Sequence, residues 1–336
     1  MRRARTLRRV DMSLVFLGTG GSVPTARRAT SCTLVRRGGE RLLFDCGEGA
    51  QRQMHRSTGL VQLDEIYLTH FHADHYLGIP GLLKTYDLQD RERPLRIHGP
   101  RGLVELFKAI QRIVGRTRYP VELVELDEGE AVPHEGYEIR AFPVRHRIKA
   151  LGYALVEEDR PGRFDPEAAT RLGVESGPAF GALQRGKEVP GTDGPVRPAD
   201  VMGEARRGRR VVITGDTAPC AETATAAHDA QVLVHDGSFG EDQAARAAET
   251  GHSTARQAAT LARDSGVELL ALVHASTRYN VSDLVREARE VFPAAVAPRD
   301  FDLVEMPFPE RAQPKLVQKG ALERGPDRRA EPVPEL

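Results

Sequence analysis

What the chain lacks bounds it first. Its 336 residues contain no run of about 18 apolar residues, the length a membrane-spanning helix needs. The segment from Met1 to Val10 is rich in Arg but has no apolar stretch of the kind a secretory signal carries, so a cytoplasmic protein is expected. Cysteine is scarce: Cys32, Cys46 and Cys220 are scattered, odd in number and without CxxC spacing. That argues against both a disulfide framework and a thiolate zinc site. Net charge is missing too, with 48 Lys plus Arg against 48 Asp plus Glu. Any nucleic-acid partner must therefore be met by a local patch, because global charge will not attract it. What is present, 40% hydrophobic and 29% charged residues, is ordinary for a soluble globular enzyme with one large or two modest domains.

Short apolar runs alternate with helix-like runs in two comparable halves. Leu14-Val15-Phe16-Leu17, Cys32 to Val35, Arg41 to Asp45 and Ile66 to Thr69 read as strands, followed by helical spacing from Tyr76 to Leu88 and from Gly102 to Val114. Further strands are expected at Tyr137 to Val144 and Leu151 to Glu157. In the second half, Arg210 to Thr214, Val232 to His235 and Leu269 to Val273 read as strands, and Thr254 to Asp264 as a helix. This pattern predicts an α/β fold with two packed sheets and helices outside, a four-layer sandwich.

Two stretches resist that pattern. Arg160 to Gly208 holds six prolines and few apolar residues with a clear period, so it is either a tolerated surface insertion or a functional element. Arg311 to Leu336 is polar and Pro-rich and is expected to be a disordered tail. Residues 1–11 read as an N-terminal extension, since Met12 directly precedes the first core strand, which leaves residues 12–310 as the main domain.

Chemistry concentrates in Thr69-His70-Phe71-His72-Ala73-Asp74-His75, where three imidazoles and a carboxylate follow an apolar strand. Imidazole and carboxylate suit zinc or similar borderline metals, and a loop after a buried strand can aim several donors at one point. Partners must come from elsewhere, and candidates stand at strand ends: His146, Asp216 and His274.

With these residues in view, the chain resembles the metallo-β-lactamase superfamily and, more narrowly, short-form ribonuclease Z enzymes from about Leu14 to Pro307. Matching segments are Phe16 to Gly20, Phe44 to Gly49, His70 to Pro80, Asp159 to Gly162, Thr214 to Thr217, Gly251-His252-Ser253-Thr254 and Val273-His274. The histidine motif specifies only the superfamily. Gly251 to Thr254, together with the Pro/Gly-rich insertion, specifies the branch.

The resemblance implies an αββα sandwich with a protruding arm and an endoribonuclease that cuts the 3′ trailer from precursor transfer RNA. Two zinc ions per subunit (manganese or another divalent metal in vivo) would activate the attacking hydroxide. His70, His72 and His146 would hold one metal, Asp74, His75 and His274 the other, and Asp216 would bridge them. Asp74 would also accept a proton, and Asp45 would orient ligands by hydrogen bonding. His252 and Asp236 would pass a proton to the leaving oxygen. The arm, through Gly177, Pro178, Arg185 and Lys187, would grip the transfer RNA, and Arg27 and Arg28 would meet phosphate. A homodimer is implied; DNA and membranes are not partners.

Two positions depart from the family pattern. Asp236, in His235-Asp236-Gly237-Ser238-Phe239, stands where Glu is usual, so either the backbone shifts inward or its contact with His252 is longer or water-bridged. Ala29 stands where the loop usually carries Asn. Two rival readings keep the fold: a hydrolase of small phosphodiesters or thioesters, which would not need the arm, and a non-catalytic RNA-binding protein, which would not need the donors.

Overall fold

The computed structural model describes residues 11–318. The expected extension, apart from Asp11, and the tail beyond residue 318 lie outside the described residues.

Strands β1 (Met12–Gly18), β2 (Cys32–Arg37) and β3 (Glu40–Phe44) form an antiparallel meander. After helix α1 (Ala50–Ser57), β4 (Glu65–Tyr67) joins parallel to β3. Helices α2 (Ala73–Tyr76) and α3 (Gly78–Leu88) precede β5 (Leu95–Pro100), and α4 (Leu103–Val114) precedes β6 (Val121–Leu126). The helix expected from Tyr76 to Leu88 is α3, starting two residues later, with the short α2 before it. Pro80 lies in the first turn of α3, where its missing N–H leaves no helical bond unmade.

The second sheet opens with β7 (Ala131–His134), β8 (Tyr137–Pro143) and β9 (Leu151–Glu157). The insertion follows, with α5 (Pro166–Arg171), α6 (Pro178–Gln184), the hairpin β10 (Val189–Pro190) and β11 (Pro195–Val196), and α7 (Pro198–Val201). β12 (Arg210–Ile213) then returns antiparallel to β9. α8 (Ala221–Ala227), β13 (Val232–Asp236), α9 (Ala244–Thr250), α10 (Ala255–Asp264), β14 (Leu269–Val273), α11 (Val281–Arg289) and β15 (Ala295–Val296) complete this half. Finally β16 (Leu303–Glu305) crosses back to lie beside β1, and β17 (Lys315–Val317) pairs with β16 at the edge.

Two sheets result, eight-stranded in the order β17-β16-β1-β2-β3-β4-β5-β6 and seven-stranded in the order β15-β14-β13-β12-β9-β8-β7. β1 shows why its sequence is apolar without alternation: Met12, Leu14 and Phe16 enter the core between the sheets, while Val15 and Leu17 face the outer helices. The outer face of the first sheet is covered by α1, α3 and α4 through Met54, Leu82 and Phe107. That of the second is covered by α8, α10 and α11 through Ala227, Ala258 and Leu284. The expected αββα layering is observed.

The insertion has a form its sequence did not reveal, and one expectation, the start of the tail, needs correction. The segment from Arg160 to Gly208 is no structureless loop. Ala169, Val174, Leu183, Val189, Val196 and Val201 bury themselves in a cluster of their own, with Phe164 and Phe180 packed against it. The tail does not start at Arg311, because Lys315–Val317 pairs antiparallel with β16. Leu316 and Val317 pack against the apolar clusters on the two faces of the first sheet, which gives an otherwise polar segment its reason to pair.

Candidate metal centre

Parallel pairing of β3 with β4, and of β12 with β13 and β14, brings their C-terminal ends to one edge of each sheet. β8 shares that direction, being antiparallel to β9, itself antiparallel to β12. Sites on open α/β sheets form where strands end in this way. Asp45 follows β3, His70 follows β4, His146 follows β8, Asp216 follows β12 and His274 follows β14. Asp45 (φ 55°) and His274 (φ 61°) adopt left-handed backbone, which costs a non-glycine residue on the order of 1 kcal/mol. Gly21 is required by contact: a Cβ there would stand 2.6 Å from Nδ1 of His274.

The structure brings all seven expected donors together. His70, His72, His146 and Asp216 form one group whose donor atoms lie within 4.8 Å of one another, and Asp74, His75 and His274 form another. Nε2 of His70 lies 3.0 Å from Nδ1 of His72, which is itself 3.2 Å from Nε2 of His146. Asp216 reaches both groups, with Oδ2 3.8 Å from His70 and 3.3 Å from His274, and Oδ1 3.3 Å from His75.

Hydrogen bonds behind the rings decide which nitrogen carries a proton. His146 Nδ1 donates to the Gly251 carbonyl at 2.8 Å, because a carbonyl only accepts. His75 Nδ1 donates to Asp45 at 2.7 Å. Thr69 gives its hydroxyl proton to Asp45, at 2.9 Å, so it accepts from His70 Nδ1 at 3.0 Å. Ser238 gives its proton to Asp236, at 2.6 Å, and accepts from His274 Nδ1 at 2.9 Å. In each case the other ring nitrogen turns inward: those of His75 and His274 face Asp216 and Asp74, and those of His70 and His146 face Nδ1 of His72. Nε2 of His75 and Oδ1 of Asp216 are buried with no hydrogen-bond partner. Imidazole and carboxylate donors converging on buried atoms without partners fit cations, borderline divalent ones such as zinc in particular.

Electrostatics divide the cluster: the carboxylates raise His75 and His274, while burial lowers His70, His72 and His146. Burial alone would raise the Asp216 carboxyl, yet His274 and His75 hold it well below the usual range. Burial would lower His75, but Asp216 and Asp45 push it well above the ordinary imidazole value. For His70, His72 and His146 burial wins and favours the neutral ring, the form that coordinates metal.

Asp236 and His252 adjoin the cluster but are otherwise committed. Asp236 accepts from Thr217 N (3.1 Å), Ser238 N (2.9 Å) and Ser238 Oγ (2.6 Å). It also accepts from His252 Nδ1 at 2.7 Å, so the contact is direct and the shorter acid needs no intervening water. Burial would lower His252, but the Asp236 charge and hydrogen bond push it up to about 9. Its neighbour Thr254 caps α10, exchanging hydrogen bonds with Gln257, which fixes the turn that carries His252.

The profile of the metallo-beta-lactamase superfamily matches residues 25–270. Ribonuclease Z of Methanosarcina acetivorans is 45% identical over 303 residues, 88% of this chain and 99% of that protein. Ribonuclease Z of Myxococcus xanthus is 48% identical over 303 residues, 88% of this chain and 98% of its own.

The chain belongs to the ribonuclease Z family.

The crystal structure of human short-form tRNase Z matches with a TM-score of 0.64 at 26% identity, covering 88% of this chain and 99% of that one.

Outside the cluster, the remaining expected residues of this family member divide. Gly177 and Pro178, at the start of α6, and Arg185 and Lys187 beyond it are exposed on the insertion. Arg27 is exposed in the loop after β1. Arg28 is not free as expected: its guanidinium turns inward and donates to Thr19 Oγ1 (2.5 Å) and the Pro298 carbonyl (3.1 Å). Asp300 explains this, since it accepts from Thr19 Oγ1 (2.7 Å), Ala29 N (2.7 Å) and Gln53 Nε2 (2.9 Å) and so organises the whole loop. Residues that sequence reasoning passed over are Ser22, whose backbone N–H donates to Asp74 Oδ2 at 2.8 Å, and Thr69, Ser238 and Asp300. Thr69 and Ser238 had a signal, adjacency to motif residues; Asp300 and Ser22 had none. Among the described residues no helix is long and apolar enough to cross a membrane.

Proposed function

We propose that the chain removes the 3′ trailer from precursor transfer RNA, leaving a 3′-hydroxyl on the transfer RNA and a 5′-phosphate on the trailer. The observation that carries this reading is the convergent donor cluster beside the His252–Asp236 pair, on a chain that matches ribonuclease Z relatives over 88% of its length.

His70, His72 and His146 would hold one cation, Asp74, His75 and His274 a second, with Asp216 between them. When bound, two zinc ions (or manganese or another divalent metal in vivo) would supply Lewis acidity toward the scissile phosphate and lower the pKa of water. Asp45 fixes the tautomers of His75 directly and of His70 through Thr69. Asp74, which accepts the Ser22 N–H, would also take a proton from the attacking water. With Nδ1 engaged by Asp236, His252 is protonated at neutral pH and gives its Nε2 proton to O3′ as the phosphorus–oxygen bond breaks. The insertion acts as the arm that grips transfer RNA through Gly177, Pro178, Arg185 and Lys187, with Arg27 as a further phosphate contact. The enzyme works as a cytoplasmic homodimer.

Mapping the cut in a precursor transfer RNA tests the reading, with zinc content measured alongside. Cleavage at the trailer junction, lost in His72→Ala, is the expected result. Hydrolysis of a small phosphodiester without any RNA cleavage would overturn it in favour of a small-molecule phosphodiesterase.

A further inference from the structure

Both legs of the insertion grow from the second sheet, one leaving β9 and the other returning to β12. They cross-link each other, with Arg160 and Arg206 exchanging backbone hydrogen bonds of 2.8 Å, and bridge again between Phe164 and Met202. A ladder of this kind holds two legs together but leaves the pair free to tilt about its root.

The tilt is restrained from the other sheet. Three residues past β16, the chain sets Phe308 against two guanidinium groups, with Arg160 3.6 Å and Arg209 4.1 Å from the ring centroid. Arg160 opens one leg, and Arg209 stands at the buried root just past the other, before β12. Two residues on from Phe308, Glu310 accepts from Arg160 Nη1 (2.9 Å) and Nη2 (2.7 Å), and from Arg206 Nη1 (3.3 Å), one arginine from each leg. Arg209 is almost wholly buried and donates to Glu157 at 2.7 and 2.8 Å and to the Met306 carbonyl at 3.0 Å, tying the same segment to the end of β9. Bidentate, stacked arginines are among the more rigid polar contacts available to a protein.

We propose that Phe308 and Glu310 are positioning residues for RNA, a clamp from the first sheet that fixes the angle at which the arm presents substrate to the metal centre. The inference rests on the precursor-transfer-RNA reading above. The clamp touches none of the seven donors, so it acts on recognition and leaves the hydrolytic chemistry alone.

The test uses the full chain with Phe308→Leu and Glu310→Gln, singly and together, and Phe308→Tyr as a variant that keeps the aromatic face. The double variant is expected to raise KM for precursor transfer RNA by about tenfold, the scale of one lost charge-assisted contact, with kcat near wild type. Turnover of a small chromogenic phosphodiester should stay unchanged, and Phe308→Tyr should restore the wild-type KM. Hydrogen exchange at the amides of Arg160 and Arg206 should quicken in the double variant. An unchanged KM with unchanged exchange overturns the proposal, as does an equal loss of phosphodiester turnover. If the wild-type protein cuts no precursor transfer RNA, the functional reading fails by itself, and exchange at those two amides still decides the clamp.

Discussion

At Asp236 four hydrogen bonds converge on one short carboxylate, so the local backbone is built for Asp. A longer acid would have to displace Ser238 or Thr217, and overpacking a buried site costs about 1–3 kcal/mol. Asp236→Glu is therefore expected to lower both activity and thermal stability; turnover at or above wild type would show that the extra methylene is accommodated. His252→Ala should keep full metal content, since His252 Nδ1 is committed to Asp236, but slow single-turnover cleavage by about 10²-fold or more. The pH profile separates the two partners. His252 must be protonated to donate, so the rate falls as pH rises through its raised value of about 9. Asp236→Asn removes the charge that raises it and leaves the lowering effect of burial, so the falling limb should move to lower pH by about one unit or more. An unmoved limb would take His252 out of the proton path. The residues that proved legible are those whose type announces their chemistry: the run from His70 to His75, and single polar residues at the ends of apolar strands. The inward turn of Arg28 is not legible, because Pro298, which it bonds, and Asp300, which orders its loop, come from the far end of the chain. Left-handed backbone at Asp45 and His274 has no sequence signature at all.

Strands were readable because both faces of most of them are buried, which leaves uninterrupted apolar runs such as Val211 to Ile213 and Leu269 to Val273. The insertion was opaque for the opposite reason. Its helices are too short for a period to show, and their buried residues, Ala169, Leu183 and Val201, meet only through the fold. That cluster shares no residue with the three that pack the sheets. Deleting residues 163–198 with a short Gly/Ser bridge should therefore leave the sandwich folded and phosphodiester hydrolysis within about twofold of wild type, as expected for distant, uncoupled sites. Precursor transfer RNA processing should collapse through weaker binding, with a flatter salt dependence as phosphate contacts vanish. Equal loss of both activities would make the arm a support for the active site. The edge strand β17 escaped notice because three residues among prolines and charges carry no pattern. A variant ending at Arg311 should lose on the order of 1–2 kcal/mol of stability in denaturant titration, the worth of the half-buried Leu316 and Val317. No change in midpoint would return that strand to the status of a tail.

Across the molecule, the packed clusters and the donor cluster contribute to stability separately. Chelation should abolish cleavage while the sandwich persists. Binding two metals at a thousandfold excess over their Kd stabilises by about 4 kcal/mol each, so Tm should fall by about 10 °C or more on chelation and recover on adding zinc. An unchanged Tm would argue that the donors do not hold tightly bound cations. The layering was legible from the alternation of strands and helices. The order of strands was not, since the return of β16 to the side of β1 joins residues nearly 300 apart in sequence.

The arm also divides the inventory of the site. Everything before it supplies His70, His72, Asp74, His75 and His146, and everything after it supplies Asp216, Asp236, His252 and His274. A nick among the exposed residues near Lys187 would thus yield two polypeptides, each inert and each with half of a coordination sphere. Their association would rest on the ladders between β9 and β12 and between β1 and β16 and on the apolar layer between the sheets, with metal as the final bond between them. Co-expressed as separate pieces, the halves should regain hydrolysis only in each other's company, making this chain a natural candidate for a split enzyme whose activity reports that its halves have met.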